Sequence, residues 1–150
     1  MQITFRTALA VDVSVIADFN LQLAAETEGK LLDTDVVHRG VETALRLSPE
    51  AQYYVAEVDG VVVGQLMLTR EWSDWKNGWI VWLQSVFVHA EYRSRGVFSQ
   101  LFDHVKQQLA AGNDTVAIRL YVEQDNGTAI TTYEKLGFKD PGYRVMELPL

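Results

Sequence analysis

The stretch best suited to chemistry is QSVFVHAEYRSRGVFSQL, residues 84–101, where two arginines flank a serine just before a glycine. Residues 86–88 form a β-branched and aromatic run typical of a strand, and the apolar positions after Gly96 have helical spacing. The pattern predicts a strand, a turn carrying Arg93 and Arg95, and a helix. A helix start exposes backbone N–H groups at the positive end of its dipole, so an anion such as a pyrophosphate is expected there.

Spacing alone leaves a second interpretation of this stretch open. Arg93 and Arg95 fit equally well as solvated turn residues, with Gly96 as the residue that lets the backbone turn. Short glycine motifs also arise often by chance. The elements around the stretch are therefore needed to choose between an anion-binding turn and a solvated turn.

The composition predicts one soluble globular domain over residues 1–150. A chain of 150 residues with 48% hydrophobic and 22% charged residues fits a single core. A net charge of -7 argues against a nucleic-acid partner, and no run of about 18 apolar residues suggests a membrane span. The absence of cysteine excludes a thiolate nucleophile, disulfides and zinc–thiolate sites, and favours a cytoplasmic location.

The elements that must position residues 84–101 follow from hydrophobic periodicity and turn signals along the chain. They are a strand near Ile3 and Phe5, a helix over 12–29, a helix over 35–48, two hairpin strands joined by Asp59 and Gly60, a strand over 79–88, the helix after Gly96, a strand over 116–122, a short helix over 126–137 and a closing strand over 143–148.

This order, together with two motifs, resembles the GNAT superfamily of acyl-CoA N-acyltransferases over nearly the whole chain. The segment EYRSRGVF is similar to the family's pyrophosphate signature, which is Arg or Gln, two residues, Gly, one residue, then Gly or Ala; NGTAITTYEKLGF is similar to a distal motif. The resemblance implies an α/β fold. Its central sheet would be mixed, mainly antiparallel and flanked by helices, in the order β-α-α-β-β-β-α-β-α-β.

The resemblance also implies acetyl-CoA as co-substrate and assigns residues to it. These are Val86, Phe87, Val88, Arg93, Ser94, Arg95, Gly96, Val97, Phe98, Ser99 and Asn126. Phe98 stands where the signature prefers Gly or Ala. Either its side chain packs into the core, which its helical spacing favours, or the pyrophosphate geometry is altered.

Acyl transfer from a thioester to an amine needs an acid for the departing sulfur and a base for the amine. The resemblance assigns the acid to Tyr133, which shares a helix face with Asn126. A neutral tyrosine, with a pKa near 10, can donate to a thiolate; the alternative is a core aromatic with a satisfied hydroxyl. The base stays open among Glu26, Glu28, Glu123 and a water chain held by Gln84 and Ser85.

The acceptor-binding residues predicted are Glu26, Glu28 and Gln84. The two glutamates lie between the first two helices, a segment that the family uses as an acceptor wall, and they would meet an ammonium group. No metal is expected, because His38, His89 and His104 lack ligand spacing.

The sequence therefore predicts an N-acetyltransferase that moves the acetyl group of acetyl-CoA to a primary amine of a small molecule or protein by direct attack. A non-catalytic acyl-CoA-binding or regulatory module is the alternative, and a third is an interaction domain built on the hairpin near Trp72 and Trp75. Whether the chain forms a homodimer stays open.

Overall fold

The computed structural model describes all residues, 1–150. The chain divides into two compact units, Met1–Leu120 and Tyr121–Leu150, which are described in turn. The single-domain prediction stays a prediction. No helix is both long and apolar enough to cross a membrane.

The first unit contains five strands and three helices. They are β1 (Ile3–Thr7), α1 (Val13–Glu28), α2 (Thr34–Arg46), β2 (Ala51–Val58), β3 (Val61–Ser73), β4 (Gly78–Val88), α3 (Val97–Gly112) and β5 (Thr115–Leu120). The sheet order is β1-β2-β3-β4-β5, antiparallel except for the parallel β4–β5 pair. That pair is parallel because α3 carries the chain back between the two strands. The predicted mixed, mainly antiparallel sheet is confirmed.

Helices cover both faces of this sheet. Tyr53 and Val55 on β2 pack in one buried cluster with Ile16 of α1 and Val41 of α2. The intervening Tyr54 meets the ring of His104 on α3 at a centroid distance of 6.2 Å. Since successive strand residues point to opposite faces, α1 and α2 lie on one face and α3 on the other.

The local signals at turns and helix ends act as predicted. Asp59 and Gly60, with φ of 51° and 77°, join β2 to β3 in the left-handed geometry that a two-residue hairpin needs. Helix α1 ends at Gly29, with φ of 61°. At the start of α1, the buried Asp12 pairs with Arg6 at 2.7 Å, and this guanidinium holds the pKa of Asp12 below its usual value.

A bulge interrupts the pairing of β3 with β4 close to the end of β4. Gln65 pairs with Phe87, whereas Met67 pairs with Gln84, so two residues of β4 oppose one of β3. Ser85, the first of these two, has φ of 51°. The bulge shifts the register by one residue, and pairing with β3 resumes at Phe87.

The second unit contains α4 (Gly127–Lys135). Asn126 caps it by accepting a hydrogen bond from Ala129 N at 3.2 Å, and Gly137 follows its end with φ of 98°. The predicted closing strand over 143–148 is wrong: this segment has no regular structure, and Met146 and Leu148 are exposed. Alternation of apolar residues suits a strand, but a strand also needs a neighbour for its N–H and C=O groups, and no ladder of the sheet includes this segment.

Candidate active site

The start of α3 presents backbone donors that the helix itself does not use. Gly96 precedes the helix with φ of 76°, and no side chain caps it. The first bond within the helix runs from Gln100 N to Gly96 O at 3.1 Å. The N–H groups of Val97 and Ser99, which precede Gln100, therefore have no intrahelical acceptor and are available to an anion.

Arg93 ties the turn before α3 to two other elements. Its Nε donates to the carbonyl oxygen of Val88 at 2.8 Å, and its Nη2 lies 2.7 Å from Glu26 Oε2 on α1. The guanidinium also lies 5.2 Å from the centre of the Phe87 ring. An anion at this turn would compete with Glu26 for Arg93.

The other predicted turn residues are exposed. Ser94 adopts φ of 61°, and the guanidinium of Arg95 lies 5.8 Å from the centre of the Tyr92 ring. Positive charge thus remains at the surface beside the uncapped helix start. These features make the turn over residues 93–99 a fit for a phosphorylated ligand.

The ring of Phe98 is half-buried and packs along α3. Its ring stacks on Phe102, one turn further along α3, at a centroid distance of 5.8 Å. The helix start itself lies close to the sheet, since a Cβ built on Gly64 would be 3.1 Å from Val97 Cγ1. The stack on Phe102 is a packing contact of Phe98, and its effect on pyrophosphate geometry stays a prediction.

The last residues of β4 have one edge that β5 does not pair. The β4–β5 ladder ends at Leu83 and Leu120, whereas β4 continues to Val88. On the other side, Phe87 and Val88 still pair with β3. The buried ring of Phe87 packs on Phe19 of α1 at 4.8 Å between centroids. Phe87 and Val88 are therefore held by β3 on one edge, while residues 86–88 have no strand partner on the edge toward β5, where an extended ligand could pair.

A cleft of about 790 Å³ lies between α1, α2 and the sheet. Its walls are largely apolar, with Leu23, Val36, Val37, Leu47 and Met67 among them; its polar side chains include Asn20, Glu28, Tyr53 and Ser85.

The three predicted acceptor-binding residues are not all in this cleft. Glu28 lines it and pairs with Lys30 at 3.3 Å, whereas Glu26 is engaged with Arg93. Gln84 donates to Thr69 Oγ1 at 2.5 Å, and it is the neighbouring Ser85 that lines the cleft.

A buried polar network beside the cleft was missed by the sequence analysis. The wholly buried Gln65 donates through Nε2 to Asn20 Oδ1 at 2.8 Å and to the carbonyl oxygen of Ser85 at 3.1 Å. Asn20 in turn donates to the hydroxyl of Tyr53 at 3.1 Å. The available signal was Gln65 itself, the only polar side chain in the run VVVGQLML over residues 61–68.

The two residues predicted on the last helix are placed on α4 as expected. Tyr133 lies within the helix, and its ring meets Phe138 edge-on at 5.6 Å. Burial raises the pKa of Tyr133 above its usual value near 10. Its hydroxyl therefore stays protonated at neutral pH. Asn126 uses its side-chain oxygen as the cap of the same helix.

The structure brings together no group of three or more His, Cys, Asp or Glu side chains that could hold a metal ion.

Together, the mixed sheet, the end of β4 beyond its ladder with β5 and the uncapped start of α3 define an α/β protein with helices on both faces of its sheet. The sequence profile described as the acetyltransferase (GNAT) family matches residues 19–138. The chain belongs to this family of acetyltransferases, which confirms the resemblance seen in its motifs.

Individual relatives agree with this membership. The crystal structure of a possible acetyltransferase from Clostridium difficile 630 is 43% identical with a TM-score of 0.93, covering 100% of this chain and 99% of the other. An N-alpha-acetyltransferase of Sulfurisphaera tokodaii is 34% identical over 100 residues, which is 61% of this chain and 58% of that protein. An acetyltransferase of Yersinia pestis is 32% identical over 66% of this chain and 64% of its own length. The matched part of the chain thus spans about three fifths of these curated relatives.

A more distant structure shares the fold alone. It is a predicted acetyltransferase with acetyl-CoA from Clostridium acetobutylicum, 16% identical with a TM-score of 0.79, covering 99% of this chain and 96% of the other.

Proposed function

We propose that this acetyltransferase uses acetyl-CoA and acetylates a primary amine by direct attack, without an acetylated enzyme residue. The observation that carries the proposal is the junction of β4 and α3. There the strand edge over residues 86–88, which β5 does not pair, leads through a turn that carries Arg93 and Arg95 to an uncapped helix start. An extended arm that ends in a pyrophosphate matches both features in one ligand.

The residues at this junction fit acetyl-CoA as co-substrate. The N–H groups of Val97 and Ser99 would hold the pyrophosphate, with charge supplied by Arg95, and Phe98 is assigned there by the resemblance. The open edge of residues 86–88 offers backbone groups to the amide-containing arm and to the thioester carbonyl. Support from outside the chain is the fold shared with the protein named with acetyl-CoA. Asn126 stays assigned to the arm by resemblance alone.

The cleft between α1 and α2 is the proposed acceptor site. Its largely apolar walls suit the carbon chain of an amine, and Glu28 gives it a carboxylate that can meet an ammonium group. Of the base candidates, Glu28 and Ser85 line this cleft, so the proposed proton acceptor is Glu28 or a water held at Ser85. Glu26 is engaged with Arg93, and Glu123 accepts a hydrogen bond from Asp125 N in the second unit. The acceptor is an amine of either a small molecule or a protein.

Acetyl-CoA supplies the activated acetyl group as a thioester. A bond forms between the amine nitrogen and the carbonyl carbon, the carbon–sulfur bond breaks, and the amine gives up a proton. The proposed role of Tyr133 is to donate its hydroxyl proton or a hydrogen bond to the departing sulfur, which its raised pKa keeps possible at neutral pH.

The test is turnover of acetyl-CoA by the purified full chain against a panel of amines, with release of free thiol as the readout. The panel holds aliphatic amines, amino acid amides, peptides with free N-termini and lysine-containing peptides with blocked N-termini. Thiol release above the uncatalysed rate with one class of amine is expected. Tight binding of acetyl-CoA with no turnover across the panel would replace the proposal with a non-catalytic module, and absence of both would overturn it.

A further inference from the structure

Gln65 is a costly residue to bury at its position on β3. Its side chain is wholly buried, and its Oε1 has no hydrogen-bond partner. An unpaired buried acceptor destabilises the folded state, so packing alone would favour an apolar side chain there. The contribution of the amide must come from its two donor bonds.

Those two bonds join elements that are distant in sequence. One reaches Asn20 on α1, and the other reaches the carbonyl oxygen of Ser85 on β4. Ser85 is the bulge residue whose backbone lies in the left-handed region, a conformation that residues other than glycine rarely adopt. The bond from Gln65 therefore holds the bulge at its most strained point.

The bulge decides where the end of β4 lies. Two residues of β4, Ser85 and Val86, sit opposite Leu66 alone, and the ladder resumes at Phe87. Ser85 also lines the cleft, as do Asn20 and Tyr53. The Gln65 side chain thus holds two residues that line the cleft, Asn20 and Ser85, and through Ser85 it also holds the strand segment that follows the bulge.

We propose that Gln65 is a positioning residue for acyl transfer: it clamps the β4 bulge to α1 and so sets residues 86–88 relative to the acceptor cleft. This inference rests on the proposed function. Gln65 touches neither substrate; it acts through the carbonyl of Ser85 and the side chain of Asn20. A displacement of about 1 Å between reacting groups is enough to cost roughly 10²-fold in rate.

The test compares Gln65→Met with Val105→Ala. Methionine keeps the length and volume of glutamine but lacks both donor bonds. Val105 is wholly buried in α3, outside the proposed site, so its truncation lowers stability without touching the bulge. Both variants are assayed equally far below their own melting temperatures. Gln65→Met should then lose roughly 10²-fold in kcat. Its Kd for acetyl-CoA and its KM for the amine should change less than about threefold. Val105→Ala should keep wild-type kcat.

A second readout follows the bulge directly. Amide hydrogen exchange at Val86 and Phe87 should speed up in Gln65→Met and stay unchanged in Val105→Ala. If Gln65→Met does not fold, Asn20→Ala removes one of the two acceptors and should lower kcat by roughly tenfold.

Wild-type kcat in Gln65→Met, or an equal loss of kcat in Val105→Ala, would overturn the inference. Unchanged exchange at Val86 and Phe87 would do the same. Failure of the proposed function looks different, since the wild-type chain itself would then release no thiol with any amine.

Discussion

The β4–α3 junction and the acceptor cleft are built from different parts of the chain. At the junction, residues 86–99 supply backbone N–H groups and an open strand edge from one continuous stretch. The cleft is lined by side chains of α1, α2, β2, β3 and β4, which lie far apart in sequence. A ligand bound by backbone groups is recognised in the same way whatever side chains the segment carries. The shape and polarity of the cleft, in contrast, depend on the particular side chains that line it.

Helix α1 connects these two regions. Phe19 packs on Phe87, Asn20 bonds to Gln65, and Glu26 pairs with Arg93. A change at Phe19 or Glu26 therefore acts on the junction, while a change at Asn20 acts on the network beside the cleft. The predictions below use this separation, from the largest expected effect to the smallest.

The largest effect is expected from Gly96→Glu, which places a carboxylate where the pyrophosphate is proposed to bind. Loss of charge-assisted hydrogen bonds should weaken acetyl-CoA binding by about 4 kcal/mol, roughly 10³-fold. Isothermal titration calorimetry measures this. Because Gly96 has φ of 76°, Gly96→Ala carries the same backbone strain without the charge and should lose less than about tenfold. Equal losses in the two variants would assign the effect to strain and remove the turn from the site.

The next largest effect is expected from Tyr133→Phe, which keeps the ring and removes the hydroxyl. If the hydroxyl serves the departing sulfur, kcat and kcat/KM should fall together by roughly 10²-fold, with Kd for acetyl-CoA unchanged. Pre-steady-state thiol release isolates this step from product release.

The pH dependence of the same variant sharpens the assignment. Burial raises the pKa of Tyr133, so the neutral, donating form persists as pH rises, and it is lost only above the usual value near 10. The ratio of wild-type to Tyr133→Phe rates should therefore stay constant between about pH 7 and pH 9. A ratio that falls within this interval, or wild-type rates in the variant, would return Tyr133 to a packing role.

The smallest effects come from two glutamates on the last turn of α1, which the structure gives different partners. Glu28→Gln should raise KM for the amine by about fivefold and leave acetyl-CoA binding alone, because Glu28 lines the cleft. Glu26→Gln should instead tighten acetyl-CoA binding by about twofold, because it frees Arg93 for the anion. Each variant is the other's control. The sequence analysis gave both residues an acceptor role, and a rise in KM with Glu26→Gln would support that role for Glu26.

The same separation explains what the sequence could predict. The helix start after Gly96, the hairpin at Asp59 and Gly60, and the order of elements up to α4 depend on local signals, and the structure confirms them. The cleft could not be predicted in this way, because Asn20, Tyr53 and Gln65 meet only after three elements have packed.

Contacts between residues far apart in sequence also explain why the closing strand was predicted wrongly and why the ion pair of Glu26 was not predicted. The closing strand over 143–148 has the right alternation but no partner in the sheet. Arg93, the partner of Glu26, lies 67 residues away in sequence, so no local pattern around Glu26 predicts the ion pair. Local periodicity says what a segment can form, and packing decides what it contacts.

The central claim is that the backbone at the end of β4 and the start of α3 holds acetyl-CoA. The most direct test is a titration of the isotope-labelled full chain with CoA, followed through the chemical shifts of its backbone amides. The account predicts that the largest shifts cluster at residues 86–88 and 97–99, with smaller changes in the cleft. Saturable binding whose largest shifts fall outside both segments would contradict it.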